Sequence, residues 1–145
     1  MHSINLKENV VVSNFFLNVN EILPHEEVIV ERMEKLVNYL TSLKPYIIIP
    51  SILICSETNM IIDGHHRYYA LSKLGFEKVP VTKINYHSKL ITTNLDNGIS
   101  KDTLIRAALS QNVLPPKSSF HHIIDVDYKL QPIILLSLLS RLDYL

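Results

Sequence analysis

The sequence predicts an α/β fold in a single domain, and three observations carry that prediction. Short apolar runs at 15–19, 52–55, 60–62 and 79–84 alternate with stretches of helical period. Glu57-Thr58-Asn59 separates the second and third runs as a hairpin connection. The chain has 145 residues, 47% of them hydrophobic and 19% charged, which is enough for one real core and argues against disorder.

The elements follow in order. Residues 15–19 read as a short strand. Leu23-Pro24-His25-Glu26-Glu27 reads as a turn, because Pro24 interrupts regular pairing. Residues 28–43 read as a helix with Met33, Leu36, Val37 and Leu40 on one face. The hairpin then leads into Asp63-Gly64-His65-His66-Arg67. A helix over 65–74 follows, with Gly75 in the position after a helix end that favours glycine. Residues 79–84 form the next strand, and Pro80 places it at an edge or at its first residues. Residues 94–98 are a polar loop. Ser100 caps a helix that turns Leu104, Ile105, Ala108 and Leu109 inward and is ended by Pro115-Pro116. Residues 131–142 are apolar, and Pro132 suits a first helical turn. The chain holds no internal repeat.

Charge and composition narrow the function. Lys plus Arg and Asp plus Glu each number 14, so the formal net charge is zero, which counts against a nucleic-acid partner. The apolar stretches 47–55 and 133–139 are too short to span a bilayer, and residues 1–14 are polar apart from Val10-Val11-Val12. A single cysteine, Cys55, allows no internal disulfide and sits in an apolar run as a small hydrophobe. The expectation is a cytoplasmic protein without a membrane partner.

The stretch Asp63–Arg67 is the most informative. It reads as strand, tight turn and helix N-terminus, where unpaired N–H groups and the helix dipole favour an anion such as phosphate. Asp63 at the strand end suits a metal ion or a helix cap. Gly64 admits close backbone approach. His65, His66 and Arg67 are poor choices for a mere helix start, because the dipole disfavours cations there. By residue type alone, Glu26 and Glu27 read as dipole-favoured carboxylates at a helix start, or as a general base or metal ligand. Lys117, Ser118, Ser119 and His121 read as an exposed loop, or as a point charge plus donors for phosphate. A zinc site from His65, His66, His121 and His122 is disfavoured, since adjacent helical residues diverge by about 100°.

These stretches together resemble a known family. Leu23-Pro24-His25-Glu26-Glu27, then Ile62 to Leu71 with Leu74-Gly75 and Val79-Pro80-Val81, are similar to the ParB/sulfiredoxin superfamily. Leu114-Pro115-Pro116-Lys117-Ser118-Ser119 and His121, preceded by Ile99-Ser100-Lys101 and Ala107-Ala108-Leu109, point to its free serine kinase branch. Phe120 stands where that branch commonly has arginine, and the stretch between Tyr86 and Gly98 is short for it.

The resemblance implies a small mixed sheet with flanking helices, a core over about 15–86 and a phosphate-closing segment over about 99–122; the apolar tail over 131–145 has no counterpart in it. It implies transfer of the terminal phosphoryl group of ATP or ADP to the hydroxyl of L-serine, with Mg²⁺. Glu26 would take the serine proton, and Asp63 would act at the phosphates, through Mg²⁺, with His65 in the catalytic set. Gly64, His65, His66 and Arg67 would hold the phosphate chain, and Lys117, Ser118, Ser119 and His121 would close over it. Cysteine synthesis is one destination for the product. The apolar tail would pack on the core or form a homodimer contact. The alternative is a ParB-like, nucleotide-dependent DNA-binding or regulatory protein without kinase activity. A sulfiredoxin-like reductase is disfavoured, because that chemistry needs a cysteine where this helix start has histidine.

Overall fold

A computed structural model of the chain describes residues 11–93, 99–119, 121–123 and 133–138. In chain order the strands are β1 (Val11–Asn18), β2 (Tyr46–Pro50), β3 (Ile52–Cys55), β4 (Ile61–Asp63), β5 (Lys78–Ile84), β6 (Ile91–Thr93), β7 (His121–Ile123) and β8 (Ile133–Ser137). The helices are α1 (Val30–Leu40), α2 (His65–Lys73) and α3 (Lys101–Ser110).

Four strands form one mixed sheet in the order β1-β5-β3-β4. β1 pairs antiparallel with β5, β5 parallel with β3, and β3 antiparallel with β4. The parallel step follows from the crossover through β4 and α2, which returns the chain to the sheet beside β3. The hairpin turns where the polar triplet predicts it, with Asn59 at φ 63°, a conformation asparagine tolerates. Gly75 takes φ 90° just after α2, in the position the sequence assigns to it. β5 lies between two strands, not at an edge. Pro80 is tolerated there because its pairing with β3 begins only at Val81, so Pro80 faces Phe16 of β1 alone.

Two apolar clusters flank the sheet. One gathers Ile47, Ile49, Ile52, Ile54, Leu71 and Val81, against which Met33, Leu36 and Val37 of α1 pack. The other gathers Leu53, Met60, Ile84, Tyr86, Ile91 and Leu104. In α3 the capping prediction holds, because the Ser100 side chain accepts from the Thr103 N–H. Its inward face differs from the expectation: Leu104 and Ala108 are buried, but Ala107 is buried in place of Leu109, which is exposed.

The C-terminal apolar run is a strand where Pro132 and the composition suggest a helix. β8 pairs antiparallel with β2, setting Ile47 opposite Leu136 and Ile49 opposite Ile134. Leu136 and Leu138 enter the first cluster. A continuous apolar run carries no period of its own, so the available partner decides its structure. The predicted polar loop over 94–98, Phe120 and residues 139–145 lie outside the described residues. Among the described residues no helix is long and apolar enough to cross a membrane.

Candidate active site

A cavity of about 620 Å³ opens where β4 runs into α2, and Glu26, Asp63, Gly64, His65, His66, Arg67, Ser119 and His121 all line it. Three separate segments of the chain build this wall, and backbone hydrogen bonds hold them in register. The Ile61 N–H donates to the Leu23 carbonyl (2.9 Å), which lays residues 23–27 beside β4. The Leu114 N–H donates to the His25 carbonyl and the Glu27 N–H to the Leu114 carbonyl, both at 2.8 Å. The predicted turn over 23–27 is thus an extended splice between β4 and the segment after α3. Alternation in that splice separates the two glutamates: Glu26 is 8% exposed in the cavity wall and Glu27 is exposed.

Gly64 makes the turn into α2 at φ 117° and ψ 26°, in the left-handed half of conformational space where L side chains are strained. No side chain caps the helix, so its first N–H groups are left to water or a ligand. Arg67, one turn on, folds back over Gly64. Its Nη2 donates to Asp63 Oδ2 (3.1 Å), and its Nη1 donates to the carbonyls of Ser51 (2.8 Å) and Pro50 (3.3 Å). The guanidinium is therefore fixed at the cavity edge by the strand connection between β2 and β3. Burial lowers its pKa and the Asp63 carboxylate opposes that shift.

The histidines are held neutral. The His65 ring is buried, and its Nε2 accepts the backbone N–H of His25 (3.1 Å), so the ring proton lies on Nδ1. His65 thus ties the Glu26 splice to the start of α2. Burial, followed by the neighbouring His25 and His121 rings, holds its pKa well below the usual value. The His25 and His65 rings meet edge to face, 4.5 Å apart. His121 Nε2 lies 2.8 Å from the Tyr86 hydroxyl. His66 Nε2 faces the Ile29 N–H at 3.4 Å, beside the start of α1. Burial and the nearby Arg32 lower the His66 pKa, Glu26 partly opposes this, and Lys117 adds to the lowering.

Burial pushes His25 and His121 each down to about 4 from 6.5. Between those values the unfolded chain binds more protons than the folded one, so stability falls as pH drops from about 6.5 towards about 4. The expected loss over that window is on the order of a few kcal/mol. Thermal unfolding should occur at a distinctly lower temperature at pH 5 than at pH 7; an unchanged midpoint would contradict neutral buried rings.

The predicted site residues divide by position. Glu26, Asp63, Gly64, His65, His66, Arg67, Ser119 and His121 come together around one cavity. Lys117 is exposed, at φ 59°, and the Ser118 hydroxyl donates to the Pro115 carbonyl within its own turn, so both sit outside the cavity wall. Ser119 is placed on Glu26: its Oγ and N–H donate to Oε2 at 2.8 and 3.1 Å. His25 is a member of the site that the sequence reading passes over. Its signal was its position between a proline and the glutamate, in a segment that otherwise reads as a turn. Among the described residues no three His, Cys, Asp or Glu side chains converge as a metal centre.

The architecture is a mixed-sheet α/β fold carrying an anion-suited helix start, with a buried carboxylate in the same cavity. That fold is shared with a free serine kinase solved in complex with AMP, at a TM-score of 0.71 over 92% of this chain and 97% of that one; identity is 13%, so the likeness is one of fold. In sequence the chain is 34% identical over 79 residues to an ATP-dependent L-serine kinase of Staphylothermus marinus, across 52% of this chain and 31% of the relative. It is 32% identical over 95 residues to a ParB-like protein of Sulfolobus acidocaldarius, across 63% of this chain and 45% of the relative. The matched stretch is thus under half the length of each of these curated relatives. No protein-family model matches the chain. The chain is thus similar in sequence to an L-serine kinase and, separately, to a ParB-like protein, and in fold to a free serine kinase.

Proposed function

We propose that the chain is an L-serine kinase that transfers the terminal phosphoryl group of ATP or ADP to the serine hydroxyl, giving O-phospho-L-serine. The observation that carries this reading is the buried Glu26 carboxylate in one cavity with the open N-terminus of α2. Phosphoryl transfer asks for neutralised phosphate oxygens and an oriented nucleophile. The helix N–H groups and Arg67 supply donors for the phosphates, with His66 beside them and Lys117 at the rim. Glu26 supplies the acceptor for the proton. The serine oxygen bonds to the terminal phosphorus, the bridging P–O bond breaks with its electron pair leaving on the nucleotide, and the hydroxyl proton passes to Glu26.

Asp63 is the residue suited to Mg²⁺. One carboxylate at the phosphate end of the cavity fits an ion carried mainly by the nucleotide, which keeps most of its coordination in water and phosphate. Such an ion would spread and neutralise phosphate charge. Asp63 also orients Arg67 through Oδ2. Asp63→Ala should therefore lose activity through both routes, by about 10²-fold or more. Phosphoserine formation followed by mass spectrometry measures this, and wild-type kinetics in the variant would contradict the site. His65 acts in this reading by holding the Glu26 segment against α2. We place the protein in the cytoplasm and leave the exposed face of β8 as the candidate for a homodimer contact.

A further inference from the structure

Glu26 stands at the end of a hydrogen-bond chain whose direction is fixed by chemistry. A carboxylate only accepts, so the Ser119 hydroxyl points its proton at Oε2 (2.8 Å) while the Ser119 N–H donates to the same oxygen (3.1 Å). Ser119 Oγ also lies 2.7 Å from His25 Nε2. Its own proton is already committed to Glu26, so the serine oxygen accepts, and His25 Nε2 carries the ring proton. The other ring nitrogen of His25, Nδ1, is buried. The neutral ring is thus the Nε2–H tautomer. The backbone of His25 is clamped as well, by His65 Nε2 on its N–H and by the Leu114 N–H on its carbonyl.

We infer that Ser119, oriented by His25, is a positioning residue for the Glu26 carboxylate and not a ligand of the phosphates. Two donors on Oε2 hold the carboxylate in one orientation and leave Oε1 to meet the acceptor hydroxyl. Residues 25, 26 and 119 come from segments more than ninety positions apart, so the base is assembled only when the segment after α3 is in place. This inference rests on the kinase reading for its catalytic meaning, while the hydrogen-bond chain itself is independent of it.

The test combines two readouts on the full chain. Nitrogen-15 NMR of histidine-labelled protein, with the resonance assigned through His25→Gln, should show His25 as the Nε2–H tautomer at neutral pH. In kinetics, Ser119→Ala should lower kcat by about 10²-fold and move the nucleotide KM by less than about twofold, and Ser119→Thr should restore most of the loss. An Nδ1–H tautomer overturns the chain. A raised nucleotide KM with kcat preserved in Ser119→Ala overturns the positioning role and puts Ser119 on the phosphates. A wild-type protein that makes no phosphoserine yet shows the Nε2–H tautomer sinks the kinase reading, and the positioning role with it, while the hydrogen-bond chain stands.

Discussion

Glu26→Gln should abolish phosphoryl transfer and leave both the fold and nucleotide affinity in place. The amide keeps an oxygen that can accept from Ser119, so the splice between residues 25–27 and Leu114 has no reason to move. What it cannot do is take a proton from the acceptor hydroxyl. A positioned general base contributes about 10² to 10⁴ in rate, and the whole of that contribution is at stake. Turnover measured beside nucleotide binding by calorimetry separates the two functions. Intact binding with lost turnover supports the base. Loss of nucleotide affinity in a protein that never turned over would favour a nucleotide-sensing module instead.

Gly64→Ala should be the most damaging small substitution in the chain. At φ 117° any L side chain is strained, at about 1–3 kcal/mol. The new methyl would also stand 3.1 Å from Arg67 Nη2 and 3.2 Å from its Nε. That guanidinium is not a free end that swings aside, because Asp63, Pro50 and Ser51 hold it. Displacing it disturbs the phosphate end of the cavity along with the strand connection. Gly75 provides the internal control. It takes φ 90°, but a methyl there meets nothing within 4 Å, so Gly75→Ala carries the backbone strain alone. Thermal unfolding of the two variants should place Gly64→Ala lower, with weakened nucleotide binding that Gly75→Ala does not share. Equal midpoints and equal binding would contradict the packing of Arg67 on Gly64.

Much of this site is legible in the sequence because its signals are local. The hairpin, the glycine at the helix start, the glycine after α2 and the Ser100 cap each depend on a few adjacent residues, and each stands where it is predicted. The Asp63–Arg67 motif is legible for the same reason. Long-range pairing is what the sequence hides. β8 reads as a helix until β2 is available to pair with it. Pro80 reads as an edge residue or as one of a strand's first residues; β5 has a neighbour on each side, and the second setting holds, because the proline stands near the start of β5, before pairing with β3 begins at Val81. Ser119 reads as a phosphate donor because it follows a lysine in a polar loop; nothing local reveals that it reaches a glutamate 93 positions away. His25 is hidden in the same way, by a turn-like setting that becomes an extended splice only when Leu114 arrives.

The central claim is that this cavity moves a phosphoryl group onto free serine. Phosphorus-31 NMR of the purified chain with Mg²⁺, L-serine and either ATP or ADP tests it most directly, with Glu26→Gln run in parallel. A phosphomonoester resonance matching phosphoserine, absent from the variant, is the predicted result, and the nucleotide that yields it is the donor. Nucleotide that binds and stays unchanged with serine and with a panel of other free amino acids would contradict the claim.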